Sequence, residues 1–205
     1  MAPLWRLGTE ALSADDHVAV ARSFAARIGS EPEAVARVAV RAVLASGKPE
    51  RIVLHSSSST LAAAARALGI PALCGRSDPG GEGSAMAVQI AALGGEAGVV
   101  SDEEAREAAS RYPALVGADA VGPGGVVNKV GTGALAEAAA AGGSQCLVLA
   151  GSTKLVPVDL PSPAPFERTP LRSFTAVVTE EEVVRPNELE LHRYRLHPDL
   201  AALGE

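Results

Sequence analysis

Between the apolar run Arg51–Leu54 and the alanine-rich run Leu61–Leu68 the chain reads His55-Ser56-Ser57-Ser58-Ser59. A strand that ends in a serine cluster and feeds a helix is a phosphate-binding geometry. Free backbone N–H groups and hydroxyls point at one spot, and the helix dipole favours an anion there. An ordinary serine N-cap is the plainer alternative, and on this stretch alone it carries the greater weight. A second segment, Gly117-Ala118-Asp119 through Thr132, changes that weight. It places an acid at the end of an apolar run, then a flexible Gly122-Pro123-Gly124-Gly125 loop. Asn128-Lys129 follow, in the first turn of an expected helix. Lys129 would neutralise a phosphate there, and Asn128 would bond a hydroxyl or hold Asp119. A turn acid, a capping Asn and a solvated Lys account for the same residues equally well. The spacing matches neither the dinucleotide fingerprint nor a Walker loop.

The elements that must position these residues follow from periodicity. Ser13 reads as a helix cap, with Asp15 and Asp16 in the first turn. Val18, Ala21, Phe24, Ala25 and Ile28 keep helical spacing until Gly29. Ser30-Glu31-Pro32-Glu33 then reads as a capping box opening a second helix, which Gly47 and Pro49 end. Residues 1–48 are therefore expected to form a short helical N-terminal cap. From Pro49 strand and helix alternate, in a domain expected over 49–205. Strands are expected at Arg51–His55, Pro71–Cys74, Ala114–Val116, Cys146–Ala150 and Phe174–Val178, with Ala97–Val100 a further candidate. Helices are expected at Ser58–Leu68, Ser84–Leu93, Asp102–Ser110 and Val127–Ala141. Short apolar runs separated by helices imply right-handed crossovers and an α/β fold with a parallel sheet. Ligands bind beyond the carboxyl ends of such strands. The loops there are His55–Ser59, Gly75–Gly83, Gly117–Gly125 and Gly151–Pro157, which are also the glycine-rich and polar segments. The tail Glu188–Glu205 is charged, ends in a short helix-like run and is assigned no chemistry.

Composition sets the outer limits. The 205 residues are 47% hydrophobic but only 3% aromatic, which suits helices packed closely on a buried parallel sheet. A net charge of -6 argues against direct nucleic-acid binding, which needs a basic face. No apolar run approaches a membrane span, and no signal peptide is recognisable at the N-terminus. Cys74 and Cys146 sit in apolar stretches without metal-ligand spacing. They read as reduced core thiols of a cytoplasmic protein, with a disulfide between them the less favoured alternative. No metal or cofactor is expected.

Gly117–Ala139 (GADAVGPGGVVNKVGTGALAEAA), followed by Leu147–Val156 (LVLAGSTKLV), resembles the signature region of the translation initiation factor 2B alpha/beta/delta family. That family also contains 5-methylthioribose-1-phosphate and ribose-1,5-bisphosphate isomerases. Three other segments fit in order. Ile52–Ser59 resembles the family's strand ending in His-Cys-Asn-Ser or His-Ser-x-Ser. Ser77–Gly83 resembles its Ser-Arg-Pro-x-x-Glu-Gly segment, and Phe166–Pro170 with Thr175–Glu180 its C-terminal Thr-Pro and Thr-Glu elements. The resemblance covers roughly residues 49–186. It implies a Rossmann-like domain of the initiation-factor-2B type, a helical N-terminal domain, a homodimer, and a sugar-phosphate or nucleotide pocket at the strand ends. In the isomerase members a Cys and an Asp move protons. The Asp falls on Asp119 and the Cys on Ser56. The ligand-binding set expected around them is His55, Ser57, Ser58, Ser59, Arg76, Gly117, Asn128, Lys129, Gly131, Thr132 and Lys154.

Three departures bear on function. A serine hydroxyl is far less acidic than a thiol of pKa about 8.5, so without an adjacent base Ser56 is a poor partner in proton transfer. Asp78 stands where the family has Arg, with Arg76 two positions earlier to compensate. The N-terminal part is short and lacks the isomerases' Arg-Gly-Ala segment. These favour a regulatory or binding protein that holds a nucleotide or sugar phosphate without turnover. An aldose–ketose isomerase acting on a phosphorylated pentose, or a nucleotide-exchange subunit of translation initiation, are the alternatives.

Overall fold

The structure is a computed structural model and describes residues 2–201. Helix α1 spans Ala2–Leu12 and α2 His17–Leu44. Then β1 (Ile52–His55), α3 (Ser59–Leu68), β2 (Ala72–Gly75), α4 (Glu82–Ala92), β3 (Ala97–Val100), α5 (Asp102–Ala109) and β4 (Ala114–Val116) alternate. A hairpin of β5 (Ala120–Gly122) and β6 (Gly125–Lys129) precedes α6 (Thr132–Ala141) and β7 (Cys146–Leu149). After these come β8 (Phe166–Thr169), β9 (Ala176–Val178), β10 (Val183–Val184) and α7 (Pro198–Ala201).

Among the described residues, seven strands form the main sheet in the order β10-β9-β7-β4-β1-β2-β3. Every pairing is parallel except β9 with the edge strand β10. The chain steps from β1 to β2 and β3 on one side, then from β4 to β7 and β9 on the other. The gap between the ends of β1 and β4 is therefore the topological switch point, where sheets of this kind hold ligands. The expected α/β architecture and all six expected strands are present, most with ends displaced by a residue or two. The expected Rossmann-like sheet, mostly parallel and flanked by helices, is thus present.

Side-chain alternation along β1 builds two cores. Ile52 and Leu54 pack with Val35, Ala39 and Val43 of α2 and with Leu61, Ala62 and Ala65 of α3. Val53 points to the other face, with Ala105 and Ala109 of α5 and Leu135 and Ala139 of α6. The alanine content thus serves close helix–sheet approach.

Two expectations fail for identifiable reasons. The N-terminal region does not break at Gly29. Helix α2 runs through both Gly29 and Pro32, capped by Asp16, whose carboxylate accepts the Ala19 N–H at 2.9 Å. Ser13 instead bonds back to the Thr9 carbonyl, and Ser30 to that of Arg27. An interior proline costs about 3 kcal/mol. Complete burial of Val35, Ala36 and Ala39 on the sheet offsets it. Second, Val127–Lys129 are strand rather than helix. Strand β6 is buried along its whole length between β5 and β8. Gly131, at φ 99°, turns the chain before α6 starts at Thr132. Helix α1 and strands β5, β8 and β10 were not anticipated from the sequence. The helix-like end of the tail is α7 up to Ala201; residues 202–205 lie outside the described part.

Cys74 and Cys146 are free and buried, on β2 and β7. Two strands separate β2 from β7, which puts the cysteines roughly 14 Å apart at strand spacing, too far for a disulfide. Burial pushes their thiols up, to about 11 for Cys74 and about 12 for Cys146. Cys146→Ala is expected to lower stability by about 1–2 kcal/mol through the cavity left in the core. Ligand binding should be unchanged. Calorimetry paired with a binding titration checks both halves, and lost binding in a folded variant would contradict it.

Candidate functional site

The end of β1 meets the end of β2 through an unusual hydrogen-bonded pair. Ser56 and Ser77 both adopt left-handed backbone, at φ 69° and 63°, a conformation that costs a non-glycine residue about 1–3 kcal/mol. The Ser56 N–H donates to Ser77 Oγ at 2.7 Å, and Ser77 is wholly buried. Asp102, the first residue of α5, braces the Ser77 turn by accepting the N–H groups of Ser77 (2.6 Å) and Asp78 (2.9 Å). His55 is fixed between two partners. Its Nε2 lies 2.9 Å from the Val130 carbonyl and its Nδ1 3.3 Å from Ser77 Oγ. The carbonyl requires a proton on Nε2, while the Ser77 hydroxyl beside Nδ1 also reaches the Gly75 carbonyl at 3.0 Å.

These strand ends open into a cavity of about 360 Å³. Ten residues singled out in the sequence line it: His55, Ser56, Ser57, Ser58, Ser59, Gly117, Asp119, Asn128, Lys129 and Lys154. Sites more than 90 residues apart in sequence therefore converge. Ser58 also caps α3, accepting the Thr60 N–H at 3.2 Å, so the plainer N-cap reading holds for that residue. Gly131 stands behind the wall, where a Cβ would come 3.0 Å from the His55 ring. Thr132 is buried there too; its hydroxyl accepts from Asn128 Nδ2 at 3.0 Å and donates to the Lys129 carbonyl at 2.7 Å. Asn128 is thus bonded to Thr132. Arg76 is exposed. Neither it nor Asp78, which is also exposed, lines the cavity.

The two lysines differ in kind. Lys129 lies on β6 and not in a helix, and the solvated-lysine alternative does not hold for it. Its side chain is only 2% exposed, and Nζ donates to Glu82 Oε1 at 2.6 Å and to the Pro79 carbonyl. Burial opposes the charge on Glu82, but the hydrogen bond and charge of Lys129 outweigh it and hold that carboxyl below its ordinary value. The other oxygen, Glu82 Oε2, is buried without a hydrogen-bond partner among the described residues. Lys154 sits on a 3₁₀ turn, Ser152–Lys154, after β7. Burial holds its pKa below the ordinary lysine value, an effect the charges of Asp119 and Glu31 only partly offset. Of the two cavity lysines, Lys129 is paired with Glu82, whereas Lys154 makes no direct ion pair among the described residues.

Sequence reasoning missed several residues. Glu82, Leu61, Ala118 and Phe166 also line the cavity. Glu82 meets Lys129 across 47 residues, a separation no local pattern reveals. Phe166 had a usable signal, being one of few aromatics in the chain. It and Asp119 are shared with an adjoining apolar recess of about 300 Å³ floored by Val127, Leu160, Pro161 and Pro163. Among the described residues no group of His, Cys, Asp and Glu is placed to hold a metal ion, and no helix is long and apolar enough to cross a membrane.

A family model described as the initiation factor 2 subunit family matches residues 10–195. The chain belongs to this family. Among solved structures, the translation initiation factor eIF-2B of Pyrococcus horikoshii OT3 is similar at 24% identity and TM-score 0.78, over 91% of this chain and 76% of that one. The 5-methylthioribose 1-phosphate isomerase of the same organism is similar at 15% identity and TM-score 0.68, over 97% and 68%. The eIF-2B delta subunit of A. fulgidus follows at 16% and 0.67, over 88% and 68%. These identities support the shared fold and nothing finer. No curated protein matches the chain. Family members of both the initiation-factor and the isomerase kind thus share this architecture. The apolar stretch Cys146–Pro157 is largely buried in the chain's own core. The expected homodimer therefore has only the family resemblance behind it.

Proposed function

We propose that this family member binds a phosphorylated small molecule, a sugar phosphate or nucleotide, in the cavity beyond β1 and β4 and holds it without turnover. The Ser56 position carries this reading. Ser56 stands where the resemblance expects the proton-moving Cys, and both cysteines of the chain are buried in strands with raised pKa values. His55 does not replace the thiol's chemistry, since Val130 and Ser77 engage both ring nitrogens. What remains suits binding. Lys154 supplies a cation for the phosphate, the serine cluster supplies hydroxyls, and Glu82 Oε2 supplies an acceptor for a sugar hydroxyl.

Adenosine monophosphate and ribose 5-phosphate at millimolar concentration are expected to raise the melting temperature, because each would bind only the folded state. Lys154→Ala should remove most of that shift and flatten its dependence on salt, since it deletes the charge facing the phosphate. An unchanged melting temperature across pentose phosphates and nucleoside monophosphates would sink the proposal.

The second reading is an aldose–ketose isomerase on a phosphorylated pentose. The convergence of Asp119, Lys154 and Asn128 in one cavity favours it. Robust turnover by the unmodified chain would promote it. A nucleotide-exchange role in translation initiation rests on family membership alone.

A further inference from the structure

We propose that Glu31 of α2 is a positioning residue for the cavity: with Glu180 it clamps the Ser152–Lys154 turn so that Lys154 faces Asp119. The inference rests on the ligand-binding reading above and names how one of its groups is held.

The turn is a single 3₁₀ turn of three residues after β7, closed by the Lys154 N–H to the Gly151 carbonyl at 2.9 Å and the Leu155 N–H to the Ser152 carbonyl at 3.2 Å. Two carboxylates from distant parts of the chain grip it. Glu31 is buried, at 6% exposure, and both its oxygens are used: Oε1 accepts the Thr153 N–H at 3.1 Å and Oε2 the Thr153 hydroxyl at 2.7 Å. Glu180, just after β9, accepts the Ser152 N–H at 2.9 Å and the Ser152 hydroxyl at 2.5 Å. Gly151 lies directly against Glu31, so that a side chain there would run into the carboxylate. Residues 152 and 153 are thereby each held by a carboxylate from another element, and Lys154, the next residue, lines the cavity with Asp119. A buried carboxylate in the middle of a helix is costly unless its bonds are met. Here they are met 122 residues away, on the loop that carries the cavity's cation. Helix α2 thus supports the turn that carries Lys154.

Two measurements test this. In the free protein, amide exchange at Thr153 and Lys154 should accelerate in Glu31→Ala and in Thr153→Val, while amides of β1 and β4 keep wild-type protection. Unchanged exchange at Thr153 overturns the clamp without any ligand. Next, the affinity for ribose 5-phosphate should fall about tenfold in Glu31→Ala, within the span typical of coupled sites. Glu31→Gln should recover most of it, because its amide keeps one acceptor for the Thr153 N–H. In a Lys154→Ala background the same Glu31 change should have no further effect. A tenfold loss that persists without Lys154, or a loss of melting temperature with unchanged affinity, would show Glu31 to be merely structural. If ribose 5-phosphate and adenosine monophosphate fail to bind the wild type while the exchange result holds, the ligand-binding reading fails and the clamp stands.

Discussion

Lys129→Ala should lower the unfolding free energy by about 3 kcal/mol, the low end for a broken buried ion pair. The lower end applies because Glu82 retains 35% exposure, which lets solvent screen its stranded charge. The variant leaves the Glu82 carboxylate without its cation and the Pro79 carbonyl without its donor. The pH dependence has a definite sign. Glu82 has a folded pKa below its ordinary value of 4.5, so its contribution is present above that value and is lost as pH falls through the depressed one. The gap between wild type and variant should therefore narrow in acid. Urea unfolding of both proteins between pH 3 and 7 measures it. A stability equal to wild type at pH 7, with binding alone impaired, would return Lys129 to the role of a phosphate ligand.

Ser56→Cys should give the largest change in chemistry. The wild-type chain is expected to bind ribose 1,5-bisphosphate or 5-methylthioribose 1-phosphate and to convert little or none of it. A thiol at position 56 restores a group that can ionise near neutrality, and a positioned acid–base group is worth about 10²–10⁴ in rate. Cysteine replaces serine there at the same φ of 69°, so the backbone strain is already met by the fold. Turnover should appear in Ser56→Cys and vanish again in the double variant with Asp119→Asn. In the wild-type background Asp119→Asn should weaken binding by only about 1 kcal/mol, since a hydrogen-bonding group remains. Coupled assays of product formation read turnover in all four proteins, and a binding titration reads the Asp119→Asn effect. Fast conversion by the wild type, abolished by Asp119→Asn, would establish an enzyme that works without the thiol.

The alternation of short apolar runs with alanine-rich helices determined, by itself, a parallel sheet with its polar loops on one edge. Hydrophobic periodicity is local, so β1, β2, β4 and β7 were legible within a residue or so. The serine cluster, Asp119 and Lys154 were legible for a related reason: once strands are parallel, the loops after them must share an edge. Contacts between distant segments were not legible. Val127–Lys129 have the composition of either a strand or a helix start, and only pairing with β5 and β8 decides for the strand. Pro32 signals a helix start to any local rule, yet burial of the residues after it on the sheet carries α2 through. Lys129 looked free until Glu82 was brought against it, and Glu31 looked like a capping residue until Thr153 came to meet it. Charge and hydrogen bonding act over a few ångströms of space rather than a few residues of chain. Tertiary structure alone therefore decided which charged groups remain available to a ligand and which are already matched within the protein.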